Sequence, residues 1–475
     1  MKRLLLGFFL IQGCFFSLSA QKITVSESIG LRDDLAYDIL GEWSGQLLLL
    51  RDQSVALQVQ GFNRQMEKVW EKTLELDKRR PQVLEVVNEK RGFSIAYTFR
   101  EDLELRLKIH RYDPAAVLLD SATVALVGEE LFPISLHSLI SEDRSKLLVY
   151  KVERYKEIHA FSVDLDSLKL LWQYTFAPED LDYERDFQQM IVDNQGNMFC
   201  ILDKDNRKTG PVNHRFEVFY YGSSTALQLK RFEVPMGDKF TYDIRFAYDH
   251  LNEQLVGGGL YSIENLARAE GSMFLLLPIS GTEEGILQFR ELEDAFALSF
   301  MGKNFNVKNR GITETSIREI VLRKDGGFLM IGERERIYQR NLSGSRVDML
   351  GGRFVVDYYL DDLFIISCNP DGTVHWEEVF HKKQYSQDDD AMYSSYLLVK
   401  TPSNLRLLFN DEIRHENTVS EYVISPTGQF DRNSVMSTDY QNLRLRFRDA
   451  VQVSANEVIV PSERRSKLKL VRITY

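Results

Sequence analysis

The sequence predicts an all-β fold, a β-propeller of eight four-stranded blades closed by its N-terminal strand, and three observations carry that prediction. The first is a unit that recurs about eight times: strand, tight polar turn, strand, longer excursion, strand, Gly/Asp turn, strand. Its first turn stands at Trp43-Ser44-Gly45, Lys90-Arg91-Gly92, Asp143-Arg144-Ser145, Asn194-Gln195-Gly196, Leu251-Asn252-Glu253, Asp325-Gly326-Gly327, Pro402-Ser403-Asn404 and Ser454-Ala455-Asn456. The second is the turn chemistry ahead of the fourth strands, as in Asn369-Pro370-Asp371-Gly372 and Ser425-Pro426-Thr427-Gly428. Pro presets φ there and Gly accepts the positive φ that follows. The third is the pair of chain ends: the last unit supplies only three strands, at 449–454, 457–461 and 467–474, while Lys22-Ile23-Thr24-Val25-Ser26 reads as a fourth. Donating that segment to the last blade closes the ring and removes both sheet edges. The alternative is seven blades, with the irregular fifth unit an insertion.

The units follow in order. Strands are expected at 36–41, 46–51, 55–61 and 68–74 in the first, and within 83–127 in the second, where Phe93-Ser94-Ile95-Ala96-Tyr97 alternates and 103–109 follows. The third has 146–152, 157–163 and 168–176, and the fourth 188–192, 197–202, 216–221 and 228–234. The fifth has 243–248, 254–260, 272–277 and 286–291; the sixth 317–322, 328–332, 363–368 and 374–380; the seventh 395–400, 405–410 and 420–424. Period-two alternation marks strands with unlike faces. Each unit can bury its faces only against its neighbours, so 21–475 is expected to form one domain.

Trp70, Trp172 and Trp376 stand shortly after the turns that precede fourth strands, most clearly in Asp371-Gly372-Thr373-Val374-His375-Trp376. An aromatic there is expected to pack blade against blade. The run Phe161-Ser162-Val163-Asp164-Leu165-Asp166-Ser167-Leu168-Lys169-Leu170-Leu171-Trp172 resembles the repeat ending of quinoprotein-like propellers, a likeness that covers about three units. The resemblance implies a propeller from a family that holds both quinone-dependent dehydrogenases and a cofactor-free eight-bladed component of outer-membrane protein assembly. The adjacent cysteine pair that such dehydrogenases often carry is absent here, which speaks against a quinone cofactor. The stretch 354–411, ending in Phe409-Asn410-Asp411, is also similar to secreted bacterial propellers with a Tyr-Asp-rich strand and a Gly-then-Trp turn, a group that brings no activity with it.

Residues 1–20 read as a secretory signal peptide: Lys2 and Arg3, an apolar run from 4 to 18, then Ser17-Leu18-Ser19-Ala20, with cleavage expected after Ala20. A second reading takes Leu10-Ile11-Gln12-Gly13-Cys14 as a lipoprotein signal with Cys14 lipidated, though Gln12 fits it poorly. No later segment reads as a transmembrane span, and the expected location is periplasmic, outer-membrane-associated or extracellular. The chain carries 59 Lys and Arg against 70 Asp and Glu, a net charge of −11 before Lys2 and Arg3 are removed. Phosphate binding needs a basic footprint, so a nucleic-acid partner is not expected. Cys200 and Cys368, in apolar strands of different units, are expected to be buried small hydrophobes rather than a disulfide.

Strand alternation puts the excursions between second and third strands, and the links between blades, on one face of the disc. The long insertions, 203–215, 261–271, 292–318, 333–362 and 381–394, all belong to that class. The last three are expected to form one raised rim over units five to seven. It carries Arg334, Arg336, Tyr338, Arg340, Arg346, Tyr358, Tyr359 and Tyr385, residue types that protein interfaces favour.

Other chemistry is thinly signalled. None of His110, His137, His159, His214, His250, His375, His381 and His415 has an i, i+4 partner for a helical zinc site. Asp388-Asp389-Asp390 and Asp203-Lys204-Asp205-Asn206 complete no twelve-residue calcium loop, and Gly257-Gly258-Gly259 opens no helix. No Gly-x-Ser-x-Gly elbow occurs, and Glu333 with Glu335 does not by itself define a hydrolase. The expectation is an exported propeller without cofactor, metal or catalytic residues that scaffolds a protein partner in the envelope. A glycan-binding or carbohydrate-active propeller is the rival reading, and a quinone-dependent oxidoreductase the third.

Overall fold

The computed structural model describes residues 21–53, 56–76, 81–129, 135–207, 213–264, 266–280, 285–306, 308, 310–341, 354–411, 418–439 and 442–475. The expected signal peptide, Cys14 and Arg346 lie outside them. Eight antiparallel sheets follow one another along the chain. Blade 1 holds Ala36–Trp43, Gln46–Gln53, Ala56–Phe62 and Lys68–Leu74, and blade 2 Gln82–Glu89, Gly92–Glu101, Glu104–Tyr112 and Leu118–Glu129. Blade 3 holds His137–Ile140, Lys146–Glu153, Glu157–Asp164 and Lys169–Phe176, and blade 4 Phe187–Val192, Met198–Lys204, Arg215–Tyr221 and Lys230–Pro235. Blade 5 is a complete unit of Phe240–Asp249, Gln254–Ser262, Gly271–Pro278 and Ile286–Glu291, which removes the seven-blade alternative. Blade 6 holds Thr315–Leu322, Phe328–Asn341, Phe354–Cys368 and Val374–Phe380, and blade 7 Leu397–Lys400, Leu405–Asn410, Thr418–Ile424 and Phe430–Ser437.

Blade 8 takes Val451–Ser454, Glu457–Arg464 and Lys467–Thr474 from the C-terminal region and Lys22–Val25 as its fourth strand. The register runs from Lys22↔Thr474 to Val25↔Val471, and Ile29–Gly30 extends it against Leu468 and Lys467. Arg472, almost wholly buried, then bonds Glu42 of blade 1 at 2.6 Å and Glu457 of blade 8 at 3.3 Å.

The ring is visible in the core itself. Among the described residues the buried apolar side chains fall into eight clusters, each shared by two neighbouring blades, the last joining Leu47, Leu49 and Phe62 of blade 1 to Ile459, Leu468 and Leu470 of blade 8. A sheet with two apolar faces has no other way to bury both. Around the axis, polar side chains of the first strands bond the backbone next door. Gln188 donates to Ile244 O at 3.0 Å, Arg245 to Ile317 O at 3.1 Å, and Gln452 to Lys400 O at 2.8 Å.

The three tryptophans pack at blade junctions as expected. Trp172 and Trp376 donate from their indole N–H to Gly196 O and Pro426 O of the following blade, at 2.9 and 3.0 Å. The Trp70 ring packs against the cluster shared by blades 1 and 2, while its N–H reaches Gln46 of its own blade at 3.1 Å. Cys200 and Cys368 are free and buried in blades 4 and 6, where burial pushes both thiols well up. Among the described residues no helix is long and apolar enough to cross a membrane.

Candidate protein-binding rim on blade 6

The middle strands of blade 6 do not stop at the disc surface. Phe328–Asn341 and Phe354–Cys368 stay paired from Phe328↔Cys368 out to Asn341↔Phe354, with a register shift between Glu333 and Glu335. Val355, Val356, Tyr358 and Tyr359 are residues that suit a pleated surface, and Arg336, Tyr338 and Arg340 alternate with Ile337 and Gln339. A third strand, Gln384–Gln387 from the link to blade 7, pairs with Asp357–Leu360. The link from blade 5 supplies the helix Asp294–Met301, whose Phe296 and Phe300 rings stand 5.6 and 5.3 Å from that of Phe364. The three insertions expected to share a rim are thus brought together.

At the root of the rim, Glu333 is fully buried and holds three segments at once. Lys382 Nζ stands 2.7 Å away, Arg318 Nε 2.8 Å, and the Ser395 hydroxyl donates at 2.9 Å. Burial alone would raise this carboxyl, but Lys382 and Arg318 outweigh it and hold it below the usual glutamate range. Lys382, itself fully buried, also donates to Leu360 O and Gln384 Oε1, each at 2.8 Å. Glu335 pairs instead with Arg318 Nη2 at 2.9 Å. Both glutamates therefore act as structural anchors.

Above that root, register and alternation sort the side chains onto two faces. Arg336, Tyr338, Arg340, Tyr359 and Tyr385 share one face, since Arg336 lies opposite Tyr359 and Tyr359 opposite Tyr385. The three tyrosine rings run in series, with centroids 5.9 Å apart from Tyr338 to Tyr359 and 4.8 Å from Tyr359 to Tyr385, and the Arg336 guanidinium stands 5.0 Å from the Tyr359 ring. Carboxylates set the cations in place. Asp361 binds Arg336, Asp357 takes both Arg340 and, at 2.6 Å, the Tyr385 hydroxyl, and Glu314 accepts from Tyr338 at 3.2 Å.

The remaining expected residues sit elsewhere. Arg334 is buried lower down, 3.0 Å from Glu314. Tyr358 is on the opposite face with Ile337, donating to Asp390 at 3.0 Å. Lys382, Arg318, Ser395, Asp357, Asp361 and Glu314, which hold the rim together, were not visible as a set in the sequence. Asp357-Tyr358-Tyr359-Leu360-Asp361 carries the one local signal, acidic residues at a four-residue interval in a strand that pairs on both sides.

On the same side of the disc a cavity of about 570 Å³ opens between blades 8 and 1, lined among others by Tyr37, Asp38, Arg446, Asp449 and Glu463. Burial, reinforced by Asp449 and Asp52, raises the Asp38 carboxyl. These carboxylates come from two adjacent blades only. An axial catalytic funnel would gather them from several.

An eight-bladed propeller with a reinforced Arg/Tyr rim is what this fold and site define. No protein-family model matches the chain, and no curated protein matches it. Solved structures similar in outline include the Dos1 propeller, 9% identical over 94% of this chain and 94% of that one, with a TM-score of 0.44. Dipeptidyl peptidase 4 of Porphyromonas gingivalis is 11% identical over 92% of this chain and 56% of that one, with a TM-score of 0.45. The quinohemoprotein alcohol dehydrogenase of Comamonas testosteroni is 8% identical over 95% of this chain and 76% of that one, with a TM-score of 0.40. Propellers host many unrelated functions, and likenesses of this order assign none.

Proposed function

We propose that this chain is an exported, non-catalytic propeller, a single domain over 21–475, that binds a protein partner of the cell envelope through the rim of blade 6. One observation carries the reading: Arg336, Tyr338, Arg340, Tyr359 and Tyr385 converge on one face, each fixed by a neighbour within the rim. Arg and Tyr anchors that are already ordered lose little side-chain entropy on binding, about 0.5–1.5 kcal/mol less for each long side chain held in advance. Export rests on the character of residues 1–20.

The test is affinity capture from the native envelope, comparing the intact chain with Arg336→Ala/Tyr338→Ala/Arg340→Ala. Glu333 is left in place so that the root survives. The expected result is one or more partners retained by the intact chain and lost by the triple variant while its circular dichroism still reports the folded ring. Equal partner lists would remove the rim from the binding surface.

A further inference from the structure

Among the described residues, the upper part of blade 6 has an unpaired edge. The Glu335 N–H donates to Glu314 O at 2.7 Å, so at this position the backbone faces away from the returning strand Phe354–Cys368. Backbone direction alternates along a strand, which turns the N–H and C=O groups of Ile337, Gln339 and Asn341 the same way. Pairing with the first strand of blade 6 ends at Thr315↔Arg334, and among the described residues no strand covers the edge beyond it. Native sheets usually blunt such an edge. Here it carries Ile337 and Tyr338 at 54% and 47% exposure.

We infer that the partner binds by strand addition: an extended segment, alternating acidic and apolar side chains, pairs along residues 337–341. This rests on the rim reading above and specifies the chemistry of its partner. Opposite charges placed across a strand pair attract. The edge strand carries Arg336 and Arg340 on the face it shares with Tyr338, and the carboxylates that orient them, Asp361 and Asp357, belong to the next strand inward. Glu314 stands on the edge side 3.8 Å from Arg336, which leaves the half-exposed Arg340 as the cation that faces the open edge. An acidic residue of an added strand therefore lies beside Arg340, and its apolar residues beside Ile337. The main chain supplies affinity through the outward groups at 337, 339 and 341, and the side chains supply the register.

The experiment uses the full chain and a fluorescein-labelled nonapeptide alternating glutamate and valine, read by fluorescence anisotropy. Two control peptides accompany it: one N-methylated at every second residue, and one with lysine in place of glutamate. The expected result is saturable binding of the parent, weakened roughly tenfold or more by N-methylation and by the lysine exchange. Gln339→Pro should weaken it similarly without unfolding the blade, because its N–H takes no part in pairing with Phe354–Cys368. No binding of the parent, or equal binding of the N-methylated peptide, overturns strand addition. The rim reading survives that result if the Arg336/Tyr338/Arg340 variant still loses its captured partner, so the two failures are distinguishable. A dimer seen by light scattering that Gln339→Pro converts to monomer would place a second copy on this edge, and it too overturns the assignment.

Discussion

His110 lies between two hydroxyls in the wall of blade 2, with Tyr97 Oη 2.9 Å from Nε2 and Tyr112 Oη 3.0 Å from Nδ1. A neutral imidazole has one donor and one acceptor nitrogen, which two hydroxyls can match in either tautomer. Burial, with a smaller contribution from Lys108, lowers its pKa from 6.5 to about 4. The folded chain thus binds this proton less readily than the unfolded one, so stability is lost as the pH falls from 6.5 through about 4. His110→Gln keeps a donor and an acceptor but does not titrate. Thermal unfolding of the two proteins should converge at acidic pH, the wild type losing more of its melting temperature across that window. Parallel losses would show that His110 does not carry the dependence. The expected strand, 103–109, stopped one residue short of His110, where the structure continues it to Tyr112, and cross-strand register, set by turn geometry, hid its partners Tyr97 on the adjacent strand and Tyr112 two residues along.

At the scale of elements, the blade 6 hairpin shows where sequence reading stops. Its lower part, 328–332 with 363–368, was legible because apolar residues mark it. The upper part read as a loop because Glu, Arg and Tyr fill its outgoing strand and Asp and Tyr its returning one, so the apolar period vanishes even though the backbone pairing continues. The helix Asp294–Met301 escaped for a different reason: eight residues are too few to distinguish a helical period from a short apolar run. What converts these insertions into a platform is the buried Glu333, and its removal defines the element's stability. Glu333→Gln leaves Lys382 buried opposite a neutral amide, and the loss expected from breaking such a pair is about 3–5 kcal/mol. Chemical denaturation measures it. Lys382→Met should cost about as much for the mirror reason, and a double variant less than the two combined, because neither charge is then stranded. Full additivity would show that the two side chains stabilise the rim independently. The folded Glu333 carboxyl titrates lower than its ordinary 4.5, so this contribution is present above that value and is lost as the pH falls below it.

For the whole molecule, the repeat and the unequal ends of the chain pointed to the ring and to the segment that closes it, and left seven blades as the alternative to the eight that the structure has. Those features depend on strand count and turn chemistry, which are local. The identity of the carboxylates that anchor the rim depends on contacts between separate segments, such as Asp357 with Tyr385 and Glu333 with Ser395, and no local pattern reports that. Closure makes its own prediction. Deleting residues 21–30 leaves Lys467–Thr474 as an outer strand with Leu468, Leu470, Val471 and Ile473, all now buried, beside open solvent. The expected outcome is a lower melting temperature together with self-association seen by light scattering. A monomer of unaltered stability would mean that blade 8 is complete without Lys22–Val25.

That closure also sets the order of events during folding. Lys22–Val25 precedes blade 1 in the chain and its partner Lys467–Thr474 follows blade 7, so the earlier strand has to stay unsatisfied while seven blades assemble between them. A chain interrupted anywhere between the two keeps a ragged margin on each side of the gap, because neither edge has a strand to meet.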